Sequence, residues 1–144
     1  MHNRHIFMTS MLVMLVNVYS TENVSLAETP TAPFANDKMM REFSDELMAR
    51  LGNGEIEQAQ LTAVKNSHLD DPVVQQNLTE AFAFLTEKLS PPAAHNVDYV
   101  QTSKFGRSFV RHQFALDNGG FSMRCMMTYR RKTDGWRLNQ LWCH

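Results

Sequence analysis

The 144-residue chain carries two cysteines and a formal net charge of −1. That length suits one packed domain behind a leader, and two cysteines favour a single disulfide over a metal site. The near-zero charge hides an asymmetry: Glu28 to Asn96 holds eleven acids against five bases, whereas Val97 to His144 holds three acids against eight bases. Acidic helices lying near a basic sheet would account for this, and so would an anionic partner for the sheet.

The first residues read as an export signal. Met1 to His5 carries Arg4 and no acid, Ile6 to Tyr19 is mostly apolar, and Ser25-Leu26-Ala27 offers small residues for cleavage before Glu28. The apolar stretch is interrupted by Thr9, Ser10 and Asn17 and falls short of the roughly 20 residues a membrane span needs. The expected organisation is therefore a signal peptide over 1–27, a flexible lead-in over 28–36 containing Pro30 and Pro33, and one domain over 37–144. Localisation follows as periplasmic or secreted, with no membrane attachment after cleavage.

Three helices come next. Asp37 is placed to cap a segment in which Met40, Phe43, Leu47, Met48 and Leu51 recur at three- and four-residue spacing, ended by Gly52-Asn53-Gly54. A second runs from Glu55 to about Asn66, with Ile56, Ala59, Ala63 and Val64 on one stripe. Asp71-Pro72 is a cap and first-turn pair, opening a helix whose apolar face is Val74, Leu78, Ala81, Phe82, Leu85 and Leu89, and Ser90-Pro91-Pro92 stops it.

From Val97 the apolar period changes to two. Strands are expected at about Val97–Ser103, Ser108–Leu116, Phe121–Arg130 and Trp136–Cys143. Thr133-Asp134-Gly135 reads as a three-residue hairpin loop closing a glycine bulge, so that Lys132 faces Trp136 and, further along, Cys125 faces Cys143. That pair falls at a non-hydrogen-bonded position, where Cα atoms approach to roughly 4.5 Å and a disulfide fits. Asn118-Gly119 reads as a two-residue hairpin turn pairing Asp117 with Gly120. The first strand's partner is left open, because Lys104-Phe105-Gly106-Arg107 allows either a hairpin or a bend.

Chaining the two turns sorts the sheet. One face collects Val110, His112, Phe114, Leu116, Phe121, Met123, Cys125, Met127, Tyr129, Leu141 and Cys143, which the helices should cover. The other collects Arg and aromatic side chains, and its candidate binding residues are Phe105, Arg107, Phe109, Arg111, Arg124, Arg130, Trp136 and Trp142; Leu138 falls there too. In this register Arg107 opposes Arg130, a like-charge pair that costs stability unless an acid or anionic ligand lies between them. Exposed aromatics would make a large apolar patch, unless arginine stems simply cover the rings.

Chemistry-bearing motifs are few. The same register gives a row of His112, Cys125 and Cys143, but a disulfide removes both thiols, so neither a metal nor a cofactor is expected and His112 reads as a core histidine satisfied by a neighbour. Asp98-Tyr99 and Tyr129 are the remaining acid and hydroxyl candidates. No Gly-x-Ser-x-Gly, phosphate-binding glycine loop or spaced carboxylate pair occurs, and no catalytic residue is assigned.

The segments Leu51-Gly52-Asn53-Gly54-Glu55-Ile56-Glu57-Gln58-Ala59 and Tyr129-Arg130-Arg131-Lys132-Thr133-Asp134-Gly135-Trp136-Arg137-Leu138 resemble the helix-turn-helix entry and closing hairpin of the cystatin-like and NTF2-like (SnoaL-like) group. The resemblance implies an α+β fold, with N-terminal helices packed on a C-terminal antiparallel β-meander of about four strands. It also implies a curved sheet that often encloses a pocket, used by enzymes, binding modules or dimerisation platforms. Two functions are expected from these readings. The first is an exported, non-enzymatic binding or accessory module whose Arg-aromatic face takes a protein partner, a second copy or an anionic small molecule, but not nucleic acid. The alternative is a pocket enzyme or small-ligand carrier with Tyr99, His112 or Tyr129 lining the pocket.

Overall fold

A computed structural model describes residues 31–89 and 94–144. The expected signal peptide, residues 28–30 of the lead-in and the Ser90-Pro91-Pro92 stop lie outside the described residues. Helices α1 (Asp37–Gly52), α2 (Ile56–Lys65) and α3 (Pro72–Lys88) precede strands β1 (Asn96–Phe105), β2 (Phe109–Asp117), β3 (Ser122–Lys132) and β4 (Gly135–Cys143). The strands form one antiparallel meander in chain order, and β1 pairs with β2 as a hairpin. This is the α+β architecture expected from the pattern of periods.

Each helix buries the stripe its spacing predicts. On α1 the buried set is Met40, Phe43, Ser44, Leu47, Met48 and Leu51, with Gly52 where the chain into β1 crosses. A Cβ on Gly52 would stand 2.7 Å from Val97 Cγ2, so only glycine allows this approach. The cap is Asn36, whose side chain accepts from the Met39 amide, and not Asp37. Asp37 instead opens the helix, where its charge suits the dipole, and it binds Lys104 at 2.6 Å. On α3 the cap is as expected: Asp71 accepts from the amides of Val73 and Val74, and Pro72 occupies the first turn.

Both hairpin turns differ from expectation. Between β2 and β3 the loop has four residues, with Asp117 facing Ser122. A two-residue Asn-Gly turn of type I′ needs positive φ at both positions, yet among the described residues no non-glycine adopts it. Asp117 Oδ1 accepts from the Gly119 amide at 2.7 Å and Asn118 Oδ1 from that of Gly120 at 3.3 Å, and these side-chain turns widen the loop. The register therefore slips by two. Faces are kept and partners change: Phe109, not Arg107, faces Arg130, and Phe114, not His112, faces Cys125. The expected Arg107–Arg130 clash and the His112–Cys125–Cys143 row do not exist.

Between β3 and β4, Lys132 faces Gly135, one residue away from expectation, and the offset persists to Tyr129 facing Leu138. A bulge at Asn139 then restores it, since Thr128 faces Gln140 and Cys125 faces Cys143. The cysteines form a disulfide with Cα atoms 4.1 Å apart. Arg124 and His144 exchange both backbone hydrogen bonds beside it, so the bridge spans a non-hydrogen-bonded pair as expected.

The slipped stretch meets residues far away in sequence. Phe34 pairs antiparallel with Trp136, donating to its carbonyl at 2.8 Å, and a Cβ on Gly135 would meet Pro33 Cβ at 2.8 Å. Residues 31–36, expected as a flexible lead-in, are thus tied to the sheet. Phe34 is buried, with its ring 5.1 Å from Phe43 and 5.7 Å from Tyr129.

The two sheet edges are treated differently. Along β4, Phe34 engages Trp136, the Asn66 carbonyl and His68 amide engage Leu138, and Asn77 Oδ1 accepts from the Leu141 amide. The outer edge of β1 carries no such cover among the described residues. A bulge at Val100 and the charged Lys104 interrupt it instead, two devices that blunt an edge against further strand pairing.

Candidate functional site

Among the described residues, the helices cover one face of the sheet and leave the other open. On the covered face all the expected core residues of β2, β3 and β4 are buried except Phe121, which is half-buried against His95. Leu138 joins them, fully buried, because the Asn139 bulge turns it inward. Trp136 moves with it and packs against the core. Of the eight candidate binding residues, Trp136 therefore leaves the open face.

The open face reads as cross-strand rows. Phe105, Phe109, Arg130 and Arg137 form the first; Ser103, Arg111, Thr128 and Gln140 the second; Gln101, Gln113, Met126 and Trp142 the third. Arg124 lies in a fourth row, between Ala115 and His144. Arg107 sits in the β1–β2 turn after Gly106, whose φ of 60° needs glycine. There it lines a concavity of about 270 Å³ with Asp37, Lys104, Phe109, Val110, Arg131 and Trp136, at the border with the covered side. Six of the expected residues, Phe105, Phe109, Arg111, Arg124, Arg130 and Trp142, thus share one surface, with Arg107 at its rim.

Two guanidiniums on this surface are held by rings. The Arg111 guanidinium carbon lies 4.9 Å from the Phe105 centroid, and that of Arg130 lies 5.6 Å from Phe109. Arginine does cover aromatic surface here, as the packing alternative expects, but a ring engages only the guanidinium's face. Its in-plane N–H groups stay available: Arg111 Nε donates to Thr128 Oγ1 at 3.2 Å, and among the described residues its other donors have no hydrogen-bond partner.

Electrostatic pairing is incomplete in the same region. Of the eight bases in the sheet half, three have carboxylate partners: Lys104 with Asp37 at 2.6 Å, Lys132 with Asp71 at 3.6 Å and Arg137 with Asp134 at 3.0 Å. The other five, Arg107, Arg111, Arg124, Arg130 and Arg131, have none among the described residues. Asp98 and Asp117 stand at the far end of the open face from Phe105 and Arg130.

The interior holds a second polar group that the sequence did not reveal. Ser44 Oγ lies 2.7 Å from His112 Nδ1 and 2.6 Å from the Tyr129 hydroxyl, and Tyr129 donates to the Met40 carbonyl at 3.2 Å. One proton arrangement satisfies every link: His112 Nδ1–H to Ser44, Ser44 to Tyr129, Tyr129 to the backbone. All three side chains are at most 1% exposed. Burial, assisted by the nearby Arg41 guanidinium, lowers the His112 pKa to about 4, and burial raises that of the Tyr129 hydroxyl. The histidine is neutral and the serine sealed, so this is a satisfied core network, as expected for His112. Ser44 is the missed partner; its one signal is a polar residue on the apolar stripe of α1, four residues from both Met40 and Met48.

The third pocket candidate, Tyr99, is 40% exposed beneath the Arg41 guanidinium, whose carbon is 3.3 Å from the ring centroid, and its hydroxyl pairs with Thr102 at 2.6 Å. Arg41 also holds Asp45 at 2.9 Å. Tyr99 therefore belongs to the α1–β1 seam, separated from His112 and Tyr129 by burial. Among the described residues no His, Cys, Asp and Glu cluster suits a metal ion.

No family model matches the chain, and no curated protein does. Among solved structures it is similar to a chain from Thiobacillus denitrificans named as a calcium/calmodulin-dependent protein kinase type II association domain. The likeness has 14% identity and a TM-score of 0.48, covering 79% of this chain and 96% of that one. At that identity and score the likeness says nothing of what this chain does.

Proposed function

We propose that this chain is an exported, non-enzymatic binding or accessory module that works through the open face of its sheet. One observation carries the reading: Arg111 and Arg130 are laid on Phe105 and Phe109 with no carboxylate partner among the described residues, on a surface that also exposes Trp142. A monomer gains little from leaving such a surface bare. The pocket alternative has less support, because His112 and Tyr129 are sealed and Tyr99 lies elsewhere. Export rests on the N-terminal pattern. The disulfide is compatible with it, and so is the finding that no described helix is long and apolar enough to cross a membrane.

A photo-crosslinking amino acid at Gln113, in the middle of the face, tests the reading in exporting cells, with Gln76 on α3 as the control position. A discrete product at Gln113 that is lost with Arg111→Glu and Arg130→Glu is expected. Equal labelling at the two positions would sink the idea. Mass spectrometry of the same exported protein, with and without reductant, is expected to show Glu28 as the first residue and an intact disulfide.

A further inference from the structure

We propose that the open face takes an extended acidic protein segment, in which two carboxylates precede an apolar residue at alternate positions. The inference rests on the binding-module reading above and names its partner. Charge complementarity is the first ground: Arg111 and Arg130 lack carboxylates among the described residues, Asp98 and Asp117 lie at the far end of the face, and Asp134 at the near end is held by Arg137.

Row geometry is the second ground. Arg130 stands in the first row, Arg111 in the second, and Met126 with Trp142 in the third. Successive rows on one face are two residues apart, about 6.8 Å. An extended segment presents every second side chain to such a surface at the same interval, so an acid-x-acid-x-apolar pattern meets Arg130, Arg111 and the Met126–Trp142 pair in turn. The two guanidiniums are already positioned by their rings, which lowers the ordering cost of carboxylate binding. The third ground is access: β4 has much of its edge covered and β1 is blunted by a bulge and Lys104, so an arriving segment meets the face and not an edge.

The test uses the disulfide-bonded protein and a labelled dodecapeptide containing Glu-Ser-Glu-Ser-Leu, followed by fluorescence anisotropy. Binding should weaken about tenfold with either Arg111→Gln or Arg130→Gln, and fall with rising salt. Lys38→Gln, on the solvent side of α1, should leave it unchanged, and denaturation curves of the arginine variants should match the parent. A peptide with Gln for both Glu that binds equally well overturns the proposal. So does arginine-dependent binding of phosphatidylglycerol vesicles or inorganic phosphate in place of the peptide, which assigns the face to a lipid surface or a free anion. If no peptide binds while Trp142→Ala dissociates a self-associated form, the acidic partner is wrong and the binding face stands. If neither association exists and Arg111→Gln with Arg130→Gln raises stability, both readings fail.

Discussion

The two faces of β2 and β3 are built from alternate residues of the same strands, yet they handle polar groups in opposite ways. On the covered face, His112 and Tyr129 are led through Ser44 to a backbone carbonyl, and the titratable groups are held neutral. On the open face, Arg111 and Arg130 stand over phenylalanine rings with no carboxylate partner among the described residues. A buried group that lacks a partner costs folding free energy, so the interior settles such groups; an exposed arginine costs little when unpaired. Polarity alone is therefore a poor guide to function in this molecule. Reactive-looking residues sit inside as structure, and the unsettled ones lie outside.

Substitutions on the two faces should separate most widely for phenylalanine. Phe114→Ala, beneath the helices, is expected to cost about 3–5 kcal/mol, whereas Phe109→Ala on the open face should cost about 1 kcal/mol or less, both read from urea denaturation. Equal losses would mean that the open face is packed as a second core. Reducing the disulfide, or replacing Cys125 and Cys143 by Ser, should lower stability by about 2–4 kcal/mol without changing which face is covered.

The covered face should also show a pH response. The folded pKa of His112 is about 4, below the ordinary histidine value of 6.5, so the unfolded chain binds its proton first. Stability from this group is complete above pH 6.5 and is lost as the pH falls towards 4, by about 3 kcal/mol in all. His112→Gln should flatten the urea midpoint between those values, and an unchanged slope would contradict the sealed network. The smallest effect belongs to the open face: Arg130→Gln should shift stability by no more than about 0.5 kcal/mol at any pH in that range, measured in the same titration.

Much of the sheet was legible because its errors were even. The widened Asn118–Phe121 loop moved every partner of β2 by two positions, which keeps each side chain on its face, so Phe109, Arg111 and Arg124 stand where the alternation put them. The closing turn slipped by one, which reverses faces, and only the Asn139 bulge returned Cys143 to Cys125. Trp136 and Leu138 lie inside the slipped stretch, and they are the residues misassigned. Local turn chemistry could not show this, because the slipped stretch packs against Pro33 and Phe34, about a hundred positions away, at a glycine whose Cβ would meet Pro33. Ser44 was hidden for a related reason: its two partners come from strands on the far side of the core.

The covered edge of β4 and the interrupted edge of β1 bear on what kind of assembly the protein can enter. A free strand edge invites the next strand, and a chain that adds copies edge to edge has no natural end. The surface proposed here for docking is a face of fixed extent, so an occupant would fill it and leave no template for another. Complexes built this way have a set stoichiometry. That separates binding from runaway polymerisation.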